Sequence, residues 1–287
     1  MLAKLKNKII EALTSVVASV LAQPRIQQML DEIIGRHLNT RKDLESYFAE
    51  SETKKQMWIN ANVRPRSADM HWAAIPNSIR EWRMIEATRE AGQFIQQNIP
   101  ALEGHPSAYD TLGFCLDAVA VEGMYLEFGV FSGATINYIA DKVATGKVHG
   151  FDSFEGLPES WGALAKGTFD TGGNLPEVRA NVELHKGWFE DTIAPFLLKH
   201  RAPAAFIHVD ADLYSSTNTI LNGLVDRIVP GTIIVFDEYI NYPYWKDNEY
   251  KSFMEFVDRN AIEFEYIAYT DRGYSVAVKI ISISRSG

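Results

Sequence analysis

The sequence predicts an α/β protein with a mostly parallel sheet, an antiparallel edge at its C-terminal end and a helical extension before the sheet. From about residue 110 onward, short apolar runs alternate with amphipathic segments, a pattern typical of strands joined by crossover helices. The last two apolar runs are separated by a short turn and predict an antiparallel hairpin. The first hundred residues are mostly helical by pattern. We therefore expect a helical extension over residues 1–105 and a second domain over residues 106–287.

The composition is that of a globular protein in a reducing compartment. Of the 287 residues, 46% are hydrophobic and 23% are charged, which allows a sizeable core. The net charge is −9 and no dense basic patch is present, so nucleic acid is not expected as a partner. Cys115 is the single cysteine, which excludes an internal disulfide and a zinc–thiolate cluster and favours a cytoplasmic location.

The N-terminal extension begins with an amphipathic segment. Lys4, Lys6 and Lys8 precede an apolar run over residues 9–22, as in a signal peptide. Glu11 interrupts that run, however, and apolar residues recur along it at helical spacing. Packing on the body or on a partner subunit is the expected role, and it predicts a homo-oligomer. Contact with a membrane surface, helped by the lysines, is the second interpretation.

The elements follow from apolar runs bounded by glycine, proline and polar residues. Ser78 opens a helical run to about Gln97, ahead of the second domain. Further helices are predicted at 108–122, 134–144, 189–200, 216–227 and 249–260. Strands are predicted at 124–128, 147–151, 182–186, 206–209, 231–236, 264–269 and 274–281. The N-terminal cap of helix 216–227 is expected at one of Ser215, Ser216 and Thr217.

Polar residues and glycines follow each of the first five strands. Open α/β sheets bind ligands beyond the carboxyl ends of their strands, so these residues predict one site. In chain order they are Glu127, Gly129, Ser132 and Gly133, then Asp152, then Gly187 and Trp188, then Asp210 and Asp212, then Asp237 and Glu238. Unrelated surface acids would be scattered rather than collected at one edge of the sheet.

Two acidic pairs stand out within that set. Alternation along an extended chain places Asp210 and Asp212 on the same side, roughly 7 Å apart. Two carboxylates at that spacing can face one pocket as metal ligands, as a general base, or both. The absence of a cysteine or histidine cluster favours an oxygen-ligated metal such as Mg²⁺ over zinc. His208 alternates with Asp210 and is interpreted as a core histidine, with a supporting role beside Asp210 as the alternative.

The turn after the first strand favours one nucleotide cofactor over another. It is glycine-rich but lacks the Gly-x-Gly-x-x-Gly fingerprint of dinucleotide sites. Glu127 would repel a pyrophosphate and suits a cationic ligand group instead. Asp152, at the end of the second strand, is placed to accept hydrogen bonds from ribose hydroxyls. Together these residues favour S-adenosylmethionine over NAD.

Four ordered segments carry a resemblance to a known family. They are YLEFGVFSGAT (125–135), GFDSFEGLP (150–158), HVDADLYSST (208–217) and FDEY (236–239). Over roughly residues 110–280 the chain resembles the macrocin O-methyltransferases, the TylF-type branch of class I S-adenosylmethionine-dependent methyltransferases. The resemblance implies a seven-stranded, Rossmann-like sheet and divalent-metal-dependent methylation of a hydroxyl on a sugar or glycosylated small molecule, such as a natural product or a surface glycan.

The resemblance also implies roles for individual residues. Cofactor contacts fall on Glu127, Gly129, Ser132, Asp152, Ser153, Gly187, Trp188 and Asp210, with Asp152 and Ser153 at the ribose and Trp188 near the adenine. The metal ligands fall on Asp210, Asp237 and Glu238. Asp212 is the candidate base, and Asp210 is its partner in catalysis. The family often has Asp-Asp where this chain has Asp237-Glu238, so direct ligation and ligation through water both stay open for Glu238.

Two features of the acceptor side and two other functions stay open at this stage. The long loop 158–176 is interpreted as a lid, and Tyr242, Tyr244 and Trp245 either form an acceptor wall or cover the sheet edge. A nucleotide-sugar or NAD-linked oxidoreductase is one alternative function, against which the missing fingerprint stands. A non-catalytic scaffold that binds through its helical extension is the other, and it has no need of the acidic set.

Overall fold

The computed structural model describes residues 78–143 and 145–284, and the compact unit that contains the sheet spans Ile75–Gly287. The expectations for residues 1–77, including the amphipathic segment and its role in oligomerisation, lie outside the described residues. None of the helices in the described part is long and apolar enough to cross a bilayer.

The described elements are six α-helices, seven strands and one short 3₁₀ helix. The α-helices are α1 (Ile79–Asn98), α2 (Ala108–Asp117), α3 (Ala134–Lys142), α4 (Phe189–Lys199), α5 (Tyr214–Gly223) and α6 (Glu249–Asn260). The strands are β1 (Met124–Phe128), β2 (Val148–Asp152), β3 (Val182–Lys186), β4 (Ala204–Val209), β5 (Ile233–Phe236), β6 (Ile262–Tyr269) and β7 (Val276–Ile283). The 3₁₀ helix, Trp245–Asp247, lies just before α6.

The strands form one seven-stranded sheet in the order β3-β2-β1-β4-β5-β7-β6. The first five are parallel, and β7 pairs antiparallel with both β5 and β6. Strand order reverses between β1 and β4, which opens a crevice at their carboxyl ends. The predicted fold class is therefore confirmed, including the antiparallel C-terminal edge.

The central strands β4 and β5 are buried along their whole length. Helices cover both faces of a parallel sheet, so its central strands become continuous apolar runs rather than alternating ones. Strand β3, at the edge of the sheet, is only half-buried and carries charged and polar side chains. A polar edge strand of this kind discourages pairing with other chains.

Helix α1 belongs to the same compact unit as the sheet. The Ser78 side chain caps it by accepting a hydrogen bond from the Glu81 backbone N–H, as predicted. Ala91, Phe94 and Ile99 join the main hydrophobic core. This helix, which lies within the predicted extension 1–105, therefore buries its apolar stripe in the core of the sheet.

Two helices, α2 and α5, differ in extent from those predicted, and α5 ends at Gly223 rather than near residue 227. Helix α2 ends at Asp117 rather than near residue 122. Helix α5 begins at Tyr214 with Leu213 as its N-terminal cap residue and without a capping side chain, so the expected serine or threonine cap is wrong. All three candidates lie inside the helix, and Ser215 Oγ instead donates to Glu159 Oε1 at 2.6 Å.

We predict that Phe94→Ala lowers the free energy of unfolding by about 3–5 kcal/mol, the usual cost of removing a buried aromatic side chain. Phe94 makes edge-to-face contacts with Tyr239, Trp245, Tyr250 and Tyr266. Urea denaturation measures the loss, and Trp82→Ala on the exposed face of α1 is the matched control, with an expected cost below about 1 kcal/mol. Equal costs for the two variants would contradict the assignment of α1 to the core.

Candidate active site

A cavity of about 740 Å³ lies at the carboxyl ends of β1, β2, β3, β4 and β5. Its wall contains most of the residues that the sequence predicts: Gly129, Asp152, Ser153, Gly187, Trp188, Asp210, Asp212 and Glu238. The wall also contains two further acids and two aromatic residues, Glu159, Glu190, Trp161 and Phe169. The structure therefore brings predicted residues from the ends of all five strands to one cavity, although not every one of them.

Gly129 shapes the turn after β1 and can only be glycine in this conformation. Its φ is +94°, and a Cβ at this position would lie 1.7 Å from the Asp210 carbonyl oxygen. The Gly129 backbone N–H donates to Phe151 O, and the Asp210 backbone N–H donates to Phe128 O. The turn and the acidic loop after β4 are thus in direct backbone contact, which requires glycine at this position.

Asp152 holds the loops around it through three backbone N–H groups. Its Oδ2 accepts from Val130 and Phe131 at 2.8 Å each, and its Oδ1 accepts from Phe154 at 2.7 Å. Both lone pairs of Oδ2 are thereby used, but Oδ1 has a second lone pair that can accept a hydrogen bond from the cavity. The loop-organising and ligand-binding interpretations of Asp152 are therefore compatible. Ser153 lies next to it, and its Oγ accepts from the Glu155 N–H.

The third strand contributes a turn that faces the same cavity. Gly187 has φ +143°, and its backbone N–H donates to Asp152 O, which joins the second and third loops. Trp188 is the residue before α4 and has no side-chain capping bond. Trp188 also lines the cavity, and its predicted place near an adenine stays a prediction.

Three carboxylates converge beside this cavity. One oxygen from each of Asp210, Asp237 and Glu238 lies within 4.8 Å of the others. Burial and the charge of Asp237 raise the pKa values of Asp210 and Glu238 well above their usual range. Burial also opposes ionisation of Asp237, but the charge of His208 and the hydrogen bond from Ser275 outweigh it and lower the Asp237 pKa. Carboxylate oxygens at this separation can bind a hard divalent cation, and the cation would offset the repulsion between their negative charges.

Asp212 lines the cavity, but the backbone that carries it is not extended as predicted. Strand β4 ends at Val209, and Asp212 has φ +59°, so the extended-chain spacing expected for Asp210 and Asp212 is wrong. Aspartate tolerates this left-handed conformation better than most residues. Burial and the charge of Asp237 raise the pKa of Asp212 to about 7.

His208 lies fully buried between two acidic residues. Its Nδ1 is 2.9 Å from Glu127 Oε1, and its Nε2 is 3.9 Å from Asp237 Oδ1. Burial disfavours the imidazolium, but Asp237 and Glu127 outweigh it and raise the pKa of His208 well above its usual value. The supporting role that the sequence left as an alternative is therefore the one that its contacts favour.

Glu127 and Ser132 do not reach the cavity wall. Glu127 is completely buried beside His208, and Ser132 is exposed in the turn. Their roles as cofactor contacts stay predictions. Asp237 also lies outside the wall itself, although it joins the cluster of three carboxylates.

Glu249 is the residue that sequence reasoning missed. It is fully buried at the first position of α6, and its Oε2 accepts from the Glu238 backbone N–H at 3.1 Å. Its Oε1 accepts from the Ala211 N–H at 3.4 Å. One side chain thus ties the loop after β4 to the loop after β5. An acid in the first turn of a helix is common, so its position in the sequence gave no sign of this role.

The aromatic residues before α6 cover the sheet edge rather than line the cavity. Tyr242 and Trp245 are buried in the main core, and Tyr244 is exposed beneath the Arg83 guanidinium, 4.6 Å from its ring centroid. The cavity wall instead receives Trp161 and Phe169 from the long loop. The acceptor-wall interpretation of the three residues is therefore not supported.

We predict that Asp212→Asn changes the pH dependence of stability in the chelated protein. Because the pKa of Asp212 is raised in the folded protein, protonation of its carboxyl group stabilises the native state. This contribution is complete below about pH 3.8, the pKa in the unfolded chain, and is lost as the pH rises through about 7. Asparagine retains the left-handed conformation but does not ionise. The unfolding free energy of the wild type relative to the variant should fall by on the order of 2 kcal/mol between pH 5 and pH 8. A difference that is independent of pH would show that Asp212 titrates normally.

Comparisons with known proteins find similarity to methyltransferases. Residues 126–239 match the family described as a methyltransferase domain. The chain is 31% identical over 169 residues to the 8-demethyl-8-(2,3-dimethoxy-α-L-rhamnosyl)-tetracenomycin-C 4′-O-methyltransferase of Streptomyces olivaceus, covering 45% of this chain and 59% of that relative. The chain thus matches less than two thirds of the relative's length.

Two solved structures are also similar to this chain. The O-methyltransferase NovP is 22% identical, with a TM-score of 0.48, over 60% of this chain and 79% of its own. The calicheamicin methyltransferase CalS11 is 18% identical, with a TM-score of 0.48, over 75% of this chain and 99% of its own. The family match and the curated relative confirm the resemblance that the four sequence motifs predict, and residues 126–239 match a methyltransferase domain.

Proposed function

We propose that the protein is an S-adenosylmethionine-dependent, divalent-metal-dependent O-methyltransferase that acts on a sugar hydroxyl of a glycosylated small molecule. The observation that carries the proposal is the convergence of Asp210, Asp237 and Glu238 beside a cavity whose other end is formed by the loops of β1, β2 and β3. A reacting hydroxyl held near the acids would thereby face a nucleoside-type ligand across the same cavity.

The cavity wall fits the cofactor at its β1, β2 and β3 end. Gly129 lets the acidic loop pack directly against the turn after β1, and Asp152 Oδ1, which accepts one backbone N–H, retains acceptor capacity for a ribose hydroxyl. Trp188 offers an aromatic face for an adenine. Glu127 supports this end indirectly, since it contacts His208 rather than the cavity.

The acidic cluster fits a hard divalent cation such as Mg²⁺. All three donors are carboxylates, and Glu238 Oε2 is buried without a hydrogen-bond partner among the described residues, which leaves it available as a ligand. Asp210, Asp237 and Glu238 would hold the ion. When bound, such an ion lowers the pKa of a sugar hydroxyl and orients it.

The remaining chemistry falls to Asp212. A sugar hydroxyl is a poor nucleophile until its proton is removed, and a carboxylate with a pKa near 7 is well matched to that task. The hydroxyl oxygen forms a bond to the methyl carbon while the carbon–sulfur bond breaks, and Asp212 takes the proton. The products are the methyl ether and S-adenosylhomocysteine.

The charge of the wall favours an acceptor without phosphate groups. Glu159 and Glu190 line the cavity together with the site acids, and no lysine or arginine does so within the described residues. Like charges in a partly desolvated cavity repel, so a neutral or cationic sugar is expected. This agrees with the curated relative, whose name specifies a rhamnosyl group already attached to its aglycone.

Methyl transfer to an aryl α-L-rhamnoside tests the proposal directly, with release of S-adenosylhomocysteine as the readout. We expect turnover that chelation abolishes and Mg²⁺ restores. Asp212→Asn should lower kcat by about 10²–10⁴-fold, the usual contribution of a general base, because the amide cannot accept the proton.

Matched measurements separate the parts of the proposal. Asp258→Asn, on the exposed side of α6, is the control variant and should retain wild-type kcat. S-adenosylhomocysteine, but not NAD, should raise the melting temperature of the wild type and of Asp212→Asn equally. Full turnover after chelation would contradict the proposed metal dependence. A wild-type kcat in Asp212→Asn would contradict the role of Asp212 as the base.

A further inference from the structure

A second group of metal-ligating side chains lies at the edge of the sheet, separate from the acidic cluster. His149 on β2 faces His185 and Glu183 on the neighbouring strand β3. One ligand atom from each of the three lies within 4.8 Å of the other two. None of the three lines the cavity of the candidate active site. We propose that His149, Glu183 and His185 bind a transition-metal dication, with Zn²⁺ as the first candidate.

The separation of the two imidazoles matches a shared metal ion. His149 Nδ1 lies 3.1 Å from His185 Nε2. Two imidazole nitrogens bound to one tetrahedral Zn²⁺, each at about 2.0–2.1 Å, lie about 3.3 Å apart. An ion can therefore replace the direct contact between the rings with a shift of only a few tenths of an ångström.

The two rings are held in place by aromatic packing. His149 is 5% exposed and its ring centroid lies 4.8 Å from that of Phe196. His185 stacks on Phe151 with centroids 4.6 Å apart and an interplanar angle of 21°. Rings that are already fixed lose little conformational entropy when they bind an ion.

The third ligand and the surroundings leave a path for the ion. Glu183 is half-buried, and its Oε2 pairs with Lys147 Nζ at 2.7 Å. The Lys147 side chain is 63% exposed and can withdraw into solvent when a cation arrives, because exposed ion pairs contribute little. The ring of His200, directly after α4, lies 4.8 Å from that of His149 and offers a further nitrogen donor.

The donor atoms distinguish this site from the acidic cluster. Two imidazoles and one carboxylate suit Zn²⁺, Co²⁺ or Ni²⁺, whereas the three carboxylates at the cavity suit Mg²⁺. An ion between β2 and β3 would fasten the edge strand to the sheet. Because β3 leads directly into Gly187 and Trp188, the same ion would stabilise the loop on the cavity side.

Calorimetric titration of Zn²⁺ into tag-free protein in excess Mg²⁺ tests this site. We expect one equivalent of Zn²⁺ to bind and to raise the melting temperature of the wild type. In His185→Phe, which keeps the aromatic packing and removes the ligand nitrogen, we expect binding to weaken roughly a hundredfold or more. Removal of a residue that only hydrogen-bonds to a metal ligand already lowers metal affinity by about 10–100-fold, so removal of a ligand should lower it more. Glu183→Gln should weaken binding less than His185→Phe.

Two controls complete the design. His105→Phe removes a histidine elsewhere on the sheet unit and should leave the Zn²⁺ affinity unchanged. Asp237→Asn alters the acidic cluster and should also leave it unchanged, so this site and the proposed catalytic metal are tested independently. The proposal is overturned if the wild type binds no Zn²⁺ under these conditions, or if folded His185→Phe binds it as tightly as the wild type.

Discussion

The mutual repulsion of buried carboxylates is the constraint on which the rest of the site depends. Burial and the charge of Asp237 raise the pKa values of Asp210, Asp212, Glu238 and Glu249. Such a group is costly to bury unless hydrogen bonds or a cation offset its charge. Its presence beside a cavity is therefore difficult to explain by stability and is readily explained by function.

The fold opposes this repulsion through groups that arrive from several elements. His208 contributes positive charge between Glu127 and Asp237, and Ser275 Oγ donates to Asp237 Oδ1 at 2.9 Å. Glu249 accepts one backbone N–H from each acidic loop and so fixes the distance between those loops. The direct contact between Gly129 and the Asp210 carbonyl then sets the acidic loop against the turn after β1. Cofactor end and acidic end thus share one rigid backbone framework.

Sequence reasoning reached the sheet and most of the wall, because strand periodicity and polar residues at strand ends are local signals. It failed where the determining contact is tertiary. The left-handed turn at Asp212 breaks the spacing expected from an extended chain, and Glu249 acts through loops that only the fold brings together. The burial of Tyr242 in the core, which distinguishes an acceptor wall from a cover for the sheet edge, likewise depends on tertiary contacts. The pairing of His149 with His185 likewise depends on strand register rather than on spacing in the chain.

Binding of Mn²⁺ to the protein saturated with S-adenosylhomocysteine tests the central claim most directly. The account predicts one site of the oxygen-ligand class, measurable by calorimetry and by loss of the free-ion paramagnetic resonance signal. Asp237→Asn removes one of the three carboxylate ligands and should weaken that site by at least about tenfold, with unchanged affinity for S-adenosylhomocysteine. Equal Mn²⁺ affinity in wild type and Asp237→Asn, or no Mn²⁺ binding by either, would contradict the account.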